Sequence, residues 1–281
     1  MRLLFIGDIV GTPGLKLIKQ AVPALRAEQS LDFVIANAEN VASGSGMYPS
    51  NFHALRRAGV DGLTMGDHVF RRPDILPILT SGEPVVKPAN FPSDAPGKNF
   101  AVLKNERGHS LAIVSLLGRL FMKAVDCPLR TLDLLLPEIR KQTTNILVDF
   151  HAEATGEKYQ ARHYFAGRVS AIVGTHTHVV TADAQVTPEG TAYISDVGMT
   201  GGHAGILGRK AKPIVEHALN MIPTNFDVEE EDPRMNGVLL EIDENTGKAL
   251  SIQQIEWTQQ GSQLMPLRTC SGPLLKNANP D

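Results

Sequence analysis

The chain has 281 residues, of which 42% are hydrophobic, 20% charged and 5% aromatic, and its formal net charge is -3 with nine histidines counted as neutral. These values are ordinary for a globular protein that buries a sizeable core. The negative balance argues against a broad basic face for duplex DNA, because non-specific DNA binding depends on neutralising phosphates. A small phosphate ligand is compatible with it, since bound metal would supply positive charge.

The two cysteines fit a reducing compartment. Cys127 and Cys270 are far apart in sequence and form neither a disulfide framework nor a CxxC pair. The first seven residues form a short apolar run that leads into Asp8, and we interpret this run as a buried strand rather than a signal peptide. No apolar stretch approaches the roughly 20 residues that a membrane helix needs. We therefore expect a soluble, cytoplasmic protein without a membrane partner.

Short apolar runs alternate with helix-like stretches over most of the chain. The runs are typical of buried strands and cover residues 3–6, 33–36, 60–65, 146–150 and 171–173. Helices are predicted over residues 15–27 with a kink or early end at Pro23, 51–58, 137–144 with Pro137 in the first turn, and 214–221. This alternation predicts an α/β fold with some parallel strands, formed as a single domain over residues 1–281.

The end of the chain has a different pattern. Residues 237–242 and 250–257 are apolar runs, and the turn-forming residues Glu244, Asn245, Thr246 and Gly247 lie between them. Such a pattern predicts a β-hairpin. We expect this hairpin to belong to a second sheet and to be antiparallel at its edge.

Five of the predicted strands are followed by acidic, amide or imidazole side chains. Ligands in parallel sheets bind beyond the carboxyl ends of the strands, so these side chains are expected to converge. They are Asp8, Glu39, Asn40, Asp67, His68, His151, His176 and His178.

Two interpretations of this cluster are open, an internal salt-bridge network and a metal centre. Lys and Arg are missing from the strand ends, and Arg71 and Arg72 come closest in sequence. Buried carboxylates need positive charge, which favours metal. His176 and His178 lie two residues apart, and such residues on a strand face the same cavity. Carboxylates with imidazoles fit Mn, Fe or Zn better than Ca or Mg. The ligands suffice for two ions bridged by Glu39.

The ordered motifs resemble those of the calcineurin-like metallophosphoesterases. The segments MRLLFIGDIVG, NAEN, DFHAEATGEK and VGTHTHVVTAD resemble most closely the YmdB-type bacterial branch, whose members hydrolyse cyclic nucleotides. The resemblance spans residues 1 to about 200. It implies a four-layer α/β/β/α sandwich of two mixed sheets flanked by helices, which holds two Fe or Mn ions. The implied substrate is a phosphodiester, 2′,3′- or 3′,5′-cyclic nucleotides above all, attacked by hydroxide formed at the metals.

The resemblance also implies a role for each residue of the cluster. Asp8 and His178 are expected to bind the first metal, Glu39 to bridge, and Asp67, His151 and His176 to bind the second. Asn40 is expected at or beside the metals, and His68 is expected to protonate the leaving group. An alternative for His68 is a hydrogen bond that orients Asp67.

Two positions depart from the wider superfamily. Its usual Asp-x-His opening is absent, because Asp8 is followed by Ile9 and Val10, as the YmdB-type branch leads one to expect. The superfamily usually has Gly-Asn-His where this chain has Gly66, Asp67 and His68. An aspartate there can bind metal as asparagine does, and it adds a negative charge.

Substrate contacts and the exact activity are less determined by the sequence. His203 in a glycine-rich loop, Ser43 in a second such loop, and Asn90 are the candidates for substrate binding. A phosphomonoesterase or nuclease could use the same metals. A regulatory or RNA-associated protein with a structural metal is a further alternative, although the ligand count leaves room for water and favours an enzyme. A homo-oligomer is a common expectation.

Overall fold

The structure is a computed structural model that describes residues 1–258 and 260–264. Cys270 and the last part of the predicted domain, residues 265–281, lie outside the described residues. Within the described part no helix is long and apolar enough to cross a membrane.

The described residues form strands and helices that alternate along much of the chain. The strands are β1 (Arg2–Ile6), β2 (Asp8–Ile9), β3 (Phe33–Asn37), β4 (Gly62–Thr64), β5 (Val85–Val86), β6 (Phe100–Lys104), β7 (Ser110–Leu117), β8 (Ile146–His151), β9 (Ala171–Thr175), β10 (Gln185–Val186), β11 (Ala192–Ile194), β12 (Met199–Gly202), β13 (Pro233–Ile242), β14 (Ala249–Thr258) and β15 (Gly261–Leu264). The helices are α1 (Gly11–Gln29), α2 (Pro49–Arg57), α3 (Leu76–Leu79), α4 (Pro128–Arg140), α5 (Thr155–Phe165) and α6 (Ala211–Asn220), and a 3₁₀ turn, Pro73–Ile75, precedes α3.

These strands form two mixed sheets. The first has the order β15-β14-β13-β1-β3-β4-β5, with the short strands β2 and β12 attached to it, and the second has the order β10-β11-β9-β8-β7-β6. Strands β1, β3, β4 and β5 are parallel in the first sheet. Strands β7, β8, β9 and β11 are parallel in the second. Antiparallel strands complete both sheets.

The apolar core has three parts that define four layers. Between the sheets, Phe5 of the first packs in one cluster with Ile113 and Val173 of the second. On the outer face of the first sheet, α1 and α2 contribute side chains such as Ile18. On the outer face of the second, α4 and α5 contribute residues such as Leu136. The predicted α/β/β/α sandwich is therefore confirmed.

The structure corrects three local predictions. Pro23 does not end α1, which continues to Gln29 with its apolar face buried on the first sheet. Pro137 lies inside α4 rather than in its first turn, where Pro128 stands. The hairpin forms as β13 and β14, but β13 pairs with β1, so it belongs to the first sheet and not to a second one.

Candidate metal centre

The two sheets bring the polar strand ends together at one edge of the sandwich. The first sheet supplies the residues after β1, β3 and β4, and the second supplies those at the ends of β8 and β9. Short strand β2 pairs with β12, which fixes the backbone of Asp8. The eight residues singled out in the sequence meet there through the hydrogen bonds and close contacts described below.

Glu39 and His151 form the centre of one ligand group. A carboxylate oxygen of Glu39 lies 3.2 Å from Nε2 of His151, and both side chains are fully buried. Nε2 of His151 is also 3.5 Å from Oδ1 of Asp67 and 3.1 Å from Nδ1 of His176. One ligand atom from each of these four residues lies within 4.8 Å of the others. Their mixture of oxygen and nitrogen atoms suits a transition-metal ion.

Asp8 and His178 form a second group beside the first. Nε2 of His178 is 3.7 Å from Oδ1 of Asp8. The amide nitrogen of Asn40 lies between the two groups, 3.4 Å from Asp8, 3.2 Å from Glu39 and 3.4 Å from His178. The side-chain amide of Asn40 thus faces the same atoms that a cation would bind. Asn40 therefore belongs to the cluster.

The histidines of the His-x-His pair reach the cluster from a turn. Strand β9 ends at Thr175, and the next residues adopt left-handed backbone conformations, with φ of 98° at His176 and 65° at His178. The prediction that both imidazoles lie on one face of a strand is therefore wrong about the local structure. The turn directs His176 to one ligand group and His178 to the other.

Histidines, rather than lysines or arginines, accompany the buried carboxylates. Among the described residues no Lys or Arg forms an ion pair with Asp8, Glu39 or Asp67. Burial raises the pKa of Glu39, but the charge of His151 and hydrogen bonds from His151 and His68 outweigh it and hold that pKa well below its usual range. Burial lowers the pKa of His151, but Glu39 and Asp67 raise it well above its usual value. The buried carboxylates of Glu39 and Asp67 therefore make this site strongly favourable for a positive charge.

The donor set fits a bound cation. Oδ1 of Asp67 is buried and accepts no hydrogen bond of normal geometry, and Nε2 of His151 lies 3.5 Å from it. Glu39 and Asp67 offer carboxylate oxygens that lie within 4.8 Å of each other, and two unit charges at that distance repel by ~3 kcal/mol at an effective dielectric of 20. A cation would satisfy the oxygen and remove the repulsion. Gly66 leaves the space, because a Cβ there would overlap the carboxylate of Glu39 and the ring of His151.

Buried polar residues behind the cluster fix the ring of His151. Its Nδ1 lies 2.8 Å from the hydroxyl of Thr175, which donates to Asp149 at 2.6 Å. Asp149 also accepts hydrogen bonds from Thr64 and Asn37, and burial raises its pKa to about 6. Such partners orient a metal-binding imidazole. Asp149 lies in a buried strand two residues before His151, and its position there is the only sequence feature that could have identified it.

A pocket of about 300 Å³ opens over the cluster. Its polar side includes Glu153, whose carboxylate lies 3.3 Å from Nε2 of His176. Glu153 thus contacts the nitrogen of His176 that faces away from His151. The lining residues are Val10, Glu39, Asn40, Gly44, His68, Glu153, His176, Thr177, His178, Leu207 and Arg209.

Arg209 is a pocket residue that the sequence did not reveal. Its guanidinium donates hydrogen bonds to the backbone carbonyls of Ser43, Gly44 and Phe226. It therefore joins its own loop at the rim of the pocket to the loop of Ser43 and Gly44 and to the segment that contains Phe226. Burial lowers its pKa, and the charge of Asp227 opposes that effect.

The three expected substrate-binding residues lie at or beyond the rim. Ser43 is exposed and has a left-handed backbone next to the pocket residue Gly44. His203 lies outside the pocket lining, where its ring contacts the carbonyl of Gly201 and the amide of Asn236. Asn90 is buried, and its amide bonds backbone groups of Leu117 and Asp126. Asn90 therefore links the end of β7 to the backbone at Asp126.

Two facing mixed sheets with a carboxylate and histidine cluster at one edge define the class of the protein as a metallophosphoesterase-type fold. The chain belongs to the YmdB-like protein family, whose profile matches residues 4–255. It is 44% identical over 255 residues to a 2′,3′-cyclic-nucleotide 2′-phosphodiesterase of Bacillus subtilis (strain 168), covering 91% of this chain and 96% of that protein.

Two solved structures share the fold over nearly the whole chain. A hypothetical protein from Thermus thermophilus has a TM-score of 0.86 at 40% identity, over 92% of this chain and 99% of that one. A structure described as a novel phosphatase from Mycoplasma pneumoniae has a TM-score of 0.84 at 32% identity, over 91% of this chain and 92% of that one.

Proposed function

We propose that this protein hydrolyses phosphodiesters, with 2′,3′- and 3′,5′-cyclic nucleotides as its substrate class, and that it uses two ions of Fe or Mn. The observation that carries the proposal is the cluster of carboxylates and imidazoles, in which no Lys or Arg among the described residues forms an ion pair with Asp8, Glu39 or Asp67. The buried oxygen Oδ1 of Asp67, which accepts no hydrogen bond of normal geometry, supports it further. The name of the B. subtilis relative supports the choice of cyclic nucleotides.

The ligands divide between two sites in this proposal. Asp8 and His178, with Asn40 beside them, would bind the first ion, and Glu39 would bridge both ions. The second ion would be bound by Asp67, His151 and His176. When bound, the pair would supply Lewis acidity at the phosphoryl group and an ionised water near neutral pH.

His68 would transfer the proton to the leaving oxygen. Its Nδ1 lies 2.8 Å from the side-chain oxygen of Asn40 and 3.2 Å from a carboxylate oxygen of Glu39, so that nitrogen carries a hydrogen. Nε2 is then the nitrogen that can exchange a proton with substrate. The ring lines the pocket, which places it beside a phosphate bound at the cluster.

The remaining pocket residues would position the substrate. Val10 and Leu207 offer apolar contact for a base, and Arg209 offers positive charge. A pocket of about 300 Å³ is at the lower end of the range for small-ligand sites. This suits one small phosphate ester better than a polymer. The homo-oligomer expected from the sequence stays a prediction.

Rates with four substrates test this proposal. The purified, metal-loaded protein is assayed with bis-p-nitrophenyl phosphate, p-nitrophenyl phosphate, and 2′,3′- and 3′,5′-cyclic AMP. We expect the diesters to react faster than the monoester and at least one cyclic nucleotide to be opened. Faster release from the monoester would instead identify a phosphomonoesterase, and no turnover of any substrate would favour a binding protein with a structural metal.

A further inference from the structure

The turn after β9 has an unusual backbone that needs external support. His176 has a φ of 98° and His178 a φ of 65°, which residues with a side chain rarely adopt. Thr177 lies between them. Because such conformations persist only where the surroundings determine them, the contacts of Thr177 are informative.

The carboxylate of Asp196 accepts hydrogen bonds from both the backbone and the side chain of Thr177. Its Oδ2 accepts a hydrogen bond from the amide of Thr177 at 3.0 Å and from the hydroxyl at 2.8 Å. Its other oxygen accepts from the amide of Gly198 at 2.9 Å. The carboxylate is 1% exposed, so these bonds form away from water, where they are strongest.

Lys158 completes the contact from helix α5. Its ammonium lies 3.0 Å from Oδ2 of Asp196 and donates to the carbonyl of Thr175 at 2.9 Å. Its side chain is 2% exposed. The lysine therefore neutralises the buried carboxylate and at the same time binds the last residue of β9. The strand end and the turn are held by one ion pair.

We propose that Asp196 is a positioning residue for the candidate metal centre. It holds Thr177, and through Thr177 it sets the directions in which His176 and His178 approach the two ligand groups. Asp196 contacts no substrate in this account. The inference rests on the proposed function in so far as the two histidines bind metal, and its first test does not need metal.

Hydrogen exchange of the metal-free protein tests whether Asp196 fixes the turn. Asp196→Asn keeps the shape of the side chain, removes the charge that pairs with Lys158, and replaces one of the two acceptor oxygens by a donor that must face the amide of either Thr177 or Gly198. We expect exchange of peptides covering residues 175–178 to become at least about tenfold faster. Asp32→Asn is the matched control, because that carboxylate also accepts a backbone amide and pairs with an arginine, and it lies at the opposite end of β1 from Asp8. Wild-type exchange in Asp196→Asn would overturn the proposal.

Calorimetric titration of the metal-free proteins with Mn²⁺ tests the effect on the centre. We expect affinity to fall about 10–100-fold in Asp196→Asn and to stay at the wild-type value in Asp32→Asn. At saturating Mn²⁺, KM should be unchanged. A lower melting temperature with unchanged Mn²⁺ affinity would overturn the proposal, because it would show a purely structural role.

A milder variant covers the case in which Asp196→Asn does not fold. Thr177→Val removes only the hydroxyl bond, and Thr177→Ser restores it. We expect about threefold faster exchange and weaker Mn²⁺ binding in the first and wild-type values in the second. If the wild-type protein binds neither Mn²⁺ nor Fe²⁺, the proposed function fails, and the exchange measurement still decides the role of Asp196.

Discussion

The side-chain oxygen of Asn40 lies 2.8 Å from Nδ1 of His68. Because the oxygen can only accept, the hydrogen of the imidazole is fixed on Nδ1, and a carboxylate oxygen of Glu39 at 3.2 Å fixes it further. The amide nitrogen of Asn40 meanwhile faces the ligand atoms of Asp8, Glu39 and His178. Asn40 therefore couples the orientation of His68 to the candidate metal centre.

His68→Ala should lower turnover by about 10²–10⁴-fold and leave the metal content unchanged. The reason is that His68 is assigned to proton transfer and not to metal binding. Steady-state kinetics and metal analysis of the same sample measure both effects. His163→Ala, at an exposed position on α5, is the control and should match the wild-type protein. Loss of metal in His68→Ala would make it a ligand instead.

Asp67→Asn should weaken Mn²⁺ binding by about tenfold and retain turnover at saturating metal. The amide oxygen can still bind metal, but one negative charge is lost from the ligand set, and affinity follows ligand charge. Titration of metal-free protein gives the affinity, and kinetics at several Mn²⁺ concentrations give the turnover. Equal affinity of the two proteins would argue against Asp67 as a ligand.

Gly66→Ala should abolish metal binding and most activity. The added Cβ would overlap the carboxylate of Glu39 and the ring of His151, so at least one of these side chains must move. Gly82→Ala is the control, because nothing lies within 4 Å of a Cβ at that position. Metal content and melting temperature are measured for both. A metal-loaded, active Gly66→Ala enzyme would contradict the tight arrangement of the cluster.

Asp32→Asn should lower the free energy of unfolding by about 1.5–3 kcal/mol at pH 7. Burial raises the pKa of Asp32, but bonds from the Arg2 amide and from His109, with the charge of Arg107, lower it below the usual value. The stabilisation is therefore complete above about pH 4 and is lost as the pH falls through the folded value. Denaturant unfolding of both proteins from pH 7 to pH 3 should show the difference shrinking. A constant difference would contradict this.

The members of the centre could be predicted from sequence because they lie at or just after the ends of five separate predicted strands. The rule that strand ends meet at one edge identified Asp8, Glu39, Asp67 and His151 without any knowledge of the sheet order. The same rule did not reveal that β9 ends at Thr175, before His176. The turn that follows β9 is bound by Asp196, which lies about 20 residues further along the chain, and no local pattern shows this contact.

The residues around the centre could not be predicted because their contacts are tertiary. Glu153 contacts His176, and Arg209 bonds a loop more than 160 residues earlier in the chain. No local pattern records such pairs. Likewise, the place of β13 beside β1 follows from packing of the whole first sheet and not from the hairpin pattern itself.

Metal analysis of the purified protein tests the central claim most directly. We expect about two transition-metal ions per chain by mass spectrometry, and we expect diesterase activity to disappear on chelation and to return with Mn²⁺ or Fe²⁺. A protein that holds no metal and shows no diesterase activity, even after Mn²⁺ or Fe²⁺ is added, would contradict the dinuclear hydrolase.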